Sequence, residues 1–276
     1  MFFRRKLVLE GKSALITGGA MGMGYSLAGM LLKEGVRVAI VDIREQQLNK
    51  AREDLSERGE VKAYVCDVSD RNSIYSLRDQ VEKDYGAIDI LANVAGVVSS
   101  SPIVEKPDHV IEKTVAVNLL GIIWTTKAFL PGMIKKGEGH VVNFASAGGL
   151  LGVPYISDYC ATKFGVVGFT ESLRQEMKLR GHHGIHFCYV CPNTVATGMF
   201  NGATPVKGTK LLTAEDVTSK VVDGLKNRRA MIGVPASVYL LPVIKGVLPV
   251  PIMDFICRIL GIATSSEHMT GRKNSF

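Results

Sequence analysis

Long apolar runs are missing from this 276-residue chain. No stretch of ~18 uninterrupted apolar residues occurs, so no membrane span is expected. The opening MFFRRKLVLEGK is too short in apolar length, and places its charges wrongly, for a secretory signal. Cysteine is scarce and odd in number: Cys66, Cys160, Cys188, Cys191 and Cys257 point to free thiols, not a disulfide framework. Cys188 and Cys191 form a C-x-x-C, but they lie in IHFCYVC, which reads as a buried strand. Residues three apart there face opposite ways, so core cysteines are expected and not a redox pair or half a zinc site. The histidines show no metal-ligand spacing, with His182 and His183 at a helix end, and no metal is expected. A Pro/Gly/Ser-rich linker, a low-complexity tract, an internal repeat and a long run of one charge sign are also lacking. One domain is therefore expected, with a core of about residues 7–234, an apolar extension at about 235–265 and a tail at 266–276.

The formal charge of +7 is spread along the chain, with small knots at Arg4–Lys6, Lys226–Arg229 and Arg272–Lys273. No aromatic-interleaved basic stripe accompanies them, so nucleic acid is not an expected partner. An anionic cofactor or a membrane surface is the better use of that charge.

What is present is alternation. KSALITG, VRVAIVD, VKAYVCD, IDILANVAG, GHVVNFASAGG and GIHFCYVCP read as six strands, each separated from the next by helix-patterned sequence. Fully apolar strands alternating with helices predict an α/β protein with a Rossmann-type, doubly wound parallel sheet covered on both faces. A hydrophobic helical extension follows it.

The first strand runs into Thr17-Gly18-Gly19-Ala20-Met21-Gly22-Met23-Gly24 and then a helix. Glycines let backbone N–H groups approach a pyrophosphate, and the helix N-terminus offers partial positive charge. Asp42 ends the second strand, where a carboxylate accepts both ribose hydroxyls of an adenosine. A 2′-phosphate ~4 Å away would be repelled by up to ~4 kcal/mol at an effective dielectric near 20, which favours NAD(H) over NADP(H). Arg44 and Arg37 would soften that repulsion. Asp67, with Val68 beside it, suits the adenine, and Asn93, Ala95 and Gly96 suit close backbone passage along the cofactor.

Ser146 ends the fifth strand, Tyr159 follows thirteen residues later, and Lys163 stands four beyond it on the same helix face. Moving a hydride from an alcohol needs a base for the hydroxyl proton. A tyrosine, with a pKa near 10, serves only if nearby positive charge lowers it by ~2–3 units, about 3–4 kcal/mol. Ser146 would hold the substrate oxygen, and Asn118 would anchor a water passing protons from Lys163.

The ordered set TG-x-x-x-G-x-G at Thr17–Gly24, N-x-A-G at Asn93–Gly96, Asn118 in VAVNLLG, Ser146 and Y-x-x-x-K at Tyr159–Lys163 resembles the short-chain dehydrogenase/reductase family from about Leu7 to Val234. The resemblance implies that Asn118, Ser146, Tyr159 and Lys163 form a catalytic tetrad. It also implies that Lys163 binds the nicotinamide ribose, that Thr197 contacts the carboxamide side, and that Pro192 and Val195 belong to the cofactor site. Two departures stand out. Pro192-Asn193 replaces the family's Pro-Gly, and Asn193 is expected to keep the turn through a left-handed backbone. The family's final strand and its glycine-rich ending are replaced after Val234.

The extension SVYLLPVIKGVLPVPIMDFICRILGI is nearly all apolar, with Pro242, Pro249 and Pro251 expected to break it. Ile252, Met253, Phe255, Ile256, Ile259 and Leu260 share one helical face opposite Asp254 and Arg258. Such a helix covers a core or an oligomer interface, or it meets a lipid surface or the entrance of a hydrophobic substrate. Leu150, Leu151, Val153 and Tyr155, with Met199 and Phe200 from a mobile loop, are expected around the substrate. No cation among them suits an anionic group, so a neutral lipophilic alcohol or carbonyl is favoured. A carbonyl or 3-oxoacyl-type reductase using NADPH, or a non-catalytic nucleotide-binding or lipid-surface protein, are the alternatives. A cytoplasmic homodimer or homotetramer with peripheral membrane contact completes the expectation.

Overall fold

The computed structural model describes residues 6–204 and 206–270. The basic knot at Arg272–Lys273, most of the Arg4–Lys6 knot, and the end of the 266–276 tail lie outside the described residues. Seven strands form one parallel sheet: β1 (Ser13–Thr17), β2 (Arg37–Asp42), β3 (Val61–Val65), β4 (Ile90–Asn93), β5 (Gly139–Phe144), β6 (Ile185–Pro192) and β7 (Met231–Val234). Their order is β3-β2-β1-β4-β5-β6-β7, with the chain reversing direction across the sheet between β1 and β4. Thr17 pairs with Val41 and with Asn93, so the carboxyl ends of these strands share one edge. Ligands of such sheets bind outside that edge at the switch of strand order.

The helices are α1 (Gly22–Lys33), α2 (Glu45–Ser56), α3 (Arg71–Tyr85), α4 (Asp108–Val115), α5 (Gly121–Lys136), α6 (Ser157–Leu179), α7 (Ala214–Lys226), α8 (Leu241–Val247) and α9 (Val250–Ile259). Strand residues alternate between two cores. Ala14 and Ile16 meet Leu27 and Leu31 of α1, Leu48 of α2 and Val217 of α7. Leu15 faces the other way, towards Ile74 and Val81 of α3 and Phe129 of α5. Cys188 and Cys191 fall in separate clusters, as their odd spacing along a strand requires, and all five cysteines are free.

Three local expectations are corrected. A seventh strand, β7, ends at Val234, and at four residues it is too short for periodicity to show. Asn193 does not adopt a left-handed backbone; among described non-glycine residues only Tyr155 and Arg228 do. The turn is held by Asn193 itself, whose N–H donates to Val234 O (2.8 Å) and whose Oδ1 accepts from Thr194 N–H (2.9 Å). Pro242 and Pro251 do not break the extension but sit in the first turns of α8 and α9, where the missing N–H costs nothing. Of the apolar face read for α9, only Met253 is buried. One continuous helical stretch, Asp108–Lys136, has the length and hydropathy of a membrane crossing, but over half of its apolar window lies inside the fold.

Candidate active site

A cleft of about 450 Å³ opens above the carboxyl ends of β1, β2 and β4. Its floor is the turn into α1. A Cβ on Gly24 would overlap the Gly18 carbonyl, so helix and turn approach as closely as backbone allows. Met21 caps α1 with no side-chain acceptor, and the first turn carries no acid. The free N–H groups and the helix dipole thus remain available to an anion, which fits a dinucleotide's diphosphate. Thr17 Oγ1 accepts from the N–H groups of Val94 (3.0 Å) and Ala95 (3.2 Å), tying this turn to the loop after β4.

Asp42 is buried at the far end of the cleft and accepts from Ala20 N–H at 3.3 Å. Arg44 forks onto the same carboxylate, Nε to Oδ1 at 2.9 Å and Nη2 to Oδ2 at 3.1 Å. Asp67 Oδ1 accepts from Ser69 N–H (2.8 Å) and Ser69 Oγ (2.6 Å), and both Asp67 and Val68 line the cleft.

Beside this cleft lies a second cavity of about 370 Å³, with more apolar than polar lining. Ser146 and Tyr159 face into it. Ser146 follows β5 in extended backbone, its Oγ accepting from Gly148 N–H at 3.1 Å. Tyr159 sits in the first turn of α6 and is buried; burial pushes its phenol above the ordinary tyrosine range, while a hydrogen bond with Ser146 acts the opposite way. Lys163 stands behind it, Nζ 5.5 Å from the ring centroid and donating to Phe144 O at 2.7 Å. Burial lowers the Lys163 ammonium to about 8. Asn118 falls in a π-helical turn over Ala116–Leu120, a distortion common at functional sites. Its Oδ1 accepts from Val97 N–H and its Nδ2 donates to Val97 O, both at 2.8 Å, which pins the loop after β4. Gly96 separates Asn118 from Lys163: a Cβ there would stand 3.3 Å from Asn118 Oδ1 and 3.8 Å from Lys163 Nζ.

The expected residues divide by position. Gly18, Met21, Gly22, Met23, Gly24, Asp42, Asp67, Val68, Ala95, Gly96 and Thr197 line the first cleft. Leu151, Val153 and Phe200 line the second, and Phe200 meets the Tyr159 ring edge-on at 5.9 Å between centroids. Several residues lie elsewhere than expected, among them Leu150, buried in the core with Val166 and Tyr189, and Lys163, which lines neither cavity. Asn93 is sealed in the core, donating to Asn143 Oδ1 (2.8 Å) and accepting from Thr125 Oγ1 (2.6 Å), so it braces the sheet. Pro192 lines the second cavity, and Val195 is buried in the core with Leu212 and lines neither. Met199 lines the cofactor side. Tyr155 points its hydroxyl towards Glu267 Oε1 at 3.5 Å. Sequence reasoning missed other lining residues altogether: Leu241 and Ile244 of α8, and Ile262, Ser265 and Ser266 of the following segment. That segment has no periodic pattern, so no local signal marks it.

Comparison with known proteins follows the same lines. The family model for short chain dehydrogenase matches residues 12–207. The chain is 36% identical to epidermal retinol dehydrogenase 2 of Mus musculus over 96% of this chain and 87% of that one. It is 35% identical to estradiol 17-beta-dehydrogenase 11 of Rattus norvegicus over 94% and 87%. Among solved structures it resembles a short chain dehydrogenase/reductase from Burkholderia phymatum in complex with NAD, with TM-score 0.80 and 26% identity over 87% of this chain and 95% of the other.

Proposed function

Because the chain belongs to the short-chain dehydrogenase family, we propose that it interconverts a lipophilic alcohol and its carbonyl by hydride transfer with NAD(H). The observation that carries this reading is the placement of Ser146 and Tyr159 in an apolar cavity that adjoins a glycine-floored, anion-accepting cleft. Bound in that cleft, the nicotinamide ring supplies the two-electron hydride acceptor or donor. Tyr159 exchanges the proton of the reacting hydroxyl, and Ser146 Oγ holds the same oxygen. Burial keeps the phenol protonated, the form a carbonyl reduction consumes. Oxidation needs the phenolate, and Lys163 is the cation placed to stabilise it. Asn118 holds the loop after β4 that lines the cofactor cleft.

Asp42 supports NAD(H), since its carboxylate lines the cleft where ribose hydroxyls would bind. The Arg44 fork neutralises part of that charge and favours some tolerance of a 2′-phosphate. The retinol and estradiol named for two relatives are lipophilic alcohols, and the apolar cavity suits that class. The exposed apolar faces of α8 and α9, beside a cavity that Leu241 and Ile244 help to line, favour peripheral contact with a lipid surface.

Replacing Tyr159 with Phe tests the assignment. Turnover of all-trans-retinol or estradiol is expected to fall by ~10²–10⁴-fold, with NADH binding, followed by its fluorescence, retained and tighter than NADPH binding. Full activity in the variant would remove Tyr159 as the proton carrier, and preference for NADPH would overturn the Asp42 argument.

A further inference from the structure

Residues 262–270 lie beyond the stretch that the family model matches, yet they are built into the site. Thr204 N–H donates to Ser265 O (2.8 Å), and Thr270 N–H donates to Asn201 O (2.9 Å). Both acceptor–donor pairs fasten the segment to the loop after β6. Ser100 Oγ donates to Ser266 O at 2.5 Å, fastening it to the loop after β4. Glu267 faces the Tyr155 hydroxyl in the loop before α6. One stretch of chain therefore bridges all three loops that surround Tyr159.

Two residues show that this contact is specific. Gly202 has φ +82°, and a Cβ there would overlap the carbonyl oxygen of His268 and stand 3.1 Å from Thr270 N. Only glycine permits that backbone and that approach together. Met269 is 7% exposed and packs in one cluster with Val98, Ile156, Tyr159 and Cys160. Ile262, Ser265 and Ser266 line the cavity into which Tyr159 faces. The buried Ser265 and Ser266 add polar groups to a lining that also holds Lys207 and Thr209 among its apolar residues.

We propose that Ile262–Thr270 is the specificity-determining wall of the substrate site, holding the three loops at the separation that admits a long apolar alcohol. The inference rests on the function proposed above and deepens it. A small alcohol reaches only Ser146 and Tyr159, whereas an extended one must also lie against this wall. Loosening the wall therefore penalises large substrates selectively, because only they lose apolar contact.

The test uses the full chain carrying Gly202→Val, and separately Met269→Ala and Ser266→Ala, the latter two small enough to leave folding intact. All-trans-retinol and cyclohexanol are the two probes, and NADH affinity is measured alongside. Gly202→Val is expected to raise KM for retinol by about tenfold or more, the scale of discrimination that pocket contacts give, while cyclohexanol turnover and NADH affinity stay unchanged. Met269→Ala is expected to narrow the preference for retinol in the same direction. Equal losses with both alcohols would mean that the segment only supports the fold, and no loss with either would mean that it is no wall; each overturns the proposal. If the unmodified protein binds NADH but oxidises neither alcohol, the proposed function fails on its own. Retinol binding, read from retinol fluorescence, then decides the wall: weaker in Gly202→Val supports it, unchanged overturns it.

Discussion

Tyr159 and Lys163 respond to the same cause in opposite senses, because burial penalises whichever form is charged. The phenol is held protonated and the ammonium is lowered to about 8. The sequence placed these two side chains on one helix face, but the helical spacing alone gave no measure of how deeply the fold would enclose them. A stability consequence follows from Lys163. Between about pH 8 and its ordinary value of 10.5, the unfolded chain keeps a proton that the folded chain has lost. Stability from this group therefore increases as pH rises through that window, by up to about 3 kcal/mol. Urea denaturation of the wild-type protein and of Lys163→Met should show wild type gaining relative to the variant between pH 8 and 10. A constant difference across that range would mean that Lys163 titrates near its ordinary value.

α6 carries Tyr159 and Lys163, and its first turn is anchored by a contact far away in sequence. Lys106 Nζ and Asp158 Oδ1 are 2.5 Å apart, with side chains 0% and 2% exposed, and Lys106 also donates to Ser99 O at 2.9 Å. The second oxygen of Asp158 is buried without a hydrogen-bond partner. Asp158 immediately precedes Tyr159, so the pair ties the start of α6 to the loop after β4. Removing one partner leaves a buried charge uncompensated, and Asp158→Ala should cost about 3–5 kcal/mol in denaturant unfolding. The double variant Lys106→Met, Asp158→Leu should recover much of that loss. Single and double variants of equal stability would show that the charges do not depend on one another. The helix itself is legible from SDYCATKFGVVGFTESL, but its partner on a loop 52 residues earlier is not.

At the scale of the whole molecule, the extension beyond β7 is divided between two surfaces. Leu241 and Ile244 line the second cavity, while Val247, Val250 and Phe255 are 74%, 72% and 63% exposed. Lys245 fastens α8 to the fold, its Nζ 4.4 Å above the Phe164 ring and donating to Leu150 O at 3.4 Å. An exposed apolar face next to the apolar cavity, on a chain of charge +7, fits the proposed contact with an anionic lipid surface. The protein should co-sediment with vesicles containing phosphatidylserine, and Val247→Glu with Phe255→Glu should release it without changing NADH affinity. Protein that stays in the supernatant, with the same double variant shifting its oligomeric state, would assign the face to a second copy of the chain.

The sequence by itself determined the alternating strands and helices, the glycine turn, Asp42 at a strand end and the Tyr159–Lys163 spacing. Each of these is written within a few consecutive residues, in side-chain periodicity or in a backbone requirement. Only the tertiary structure decided that Asn93 braces the core, that Arg44 forks onto Asp42 and that Met269 packs with Tyr159. The first and last of those contacts join residues 50 and 110 positions apart, and all three depend on where side chains point once the sheet is assembled. Gly202 shows the physical reason most clearly: its left-handed turn is local, but the contact that leaves no room for a Cβ forms only when the 262–270 segment is laid against it.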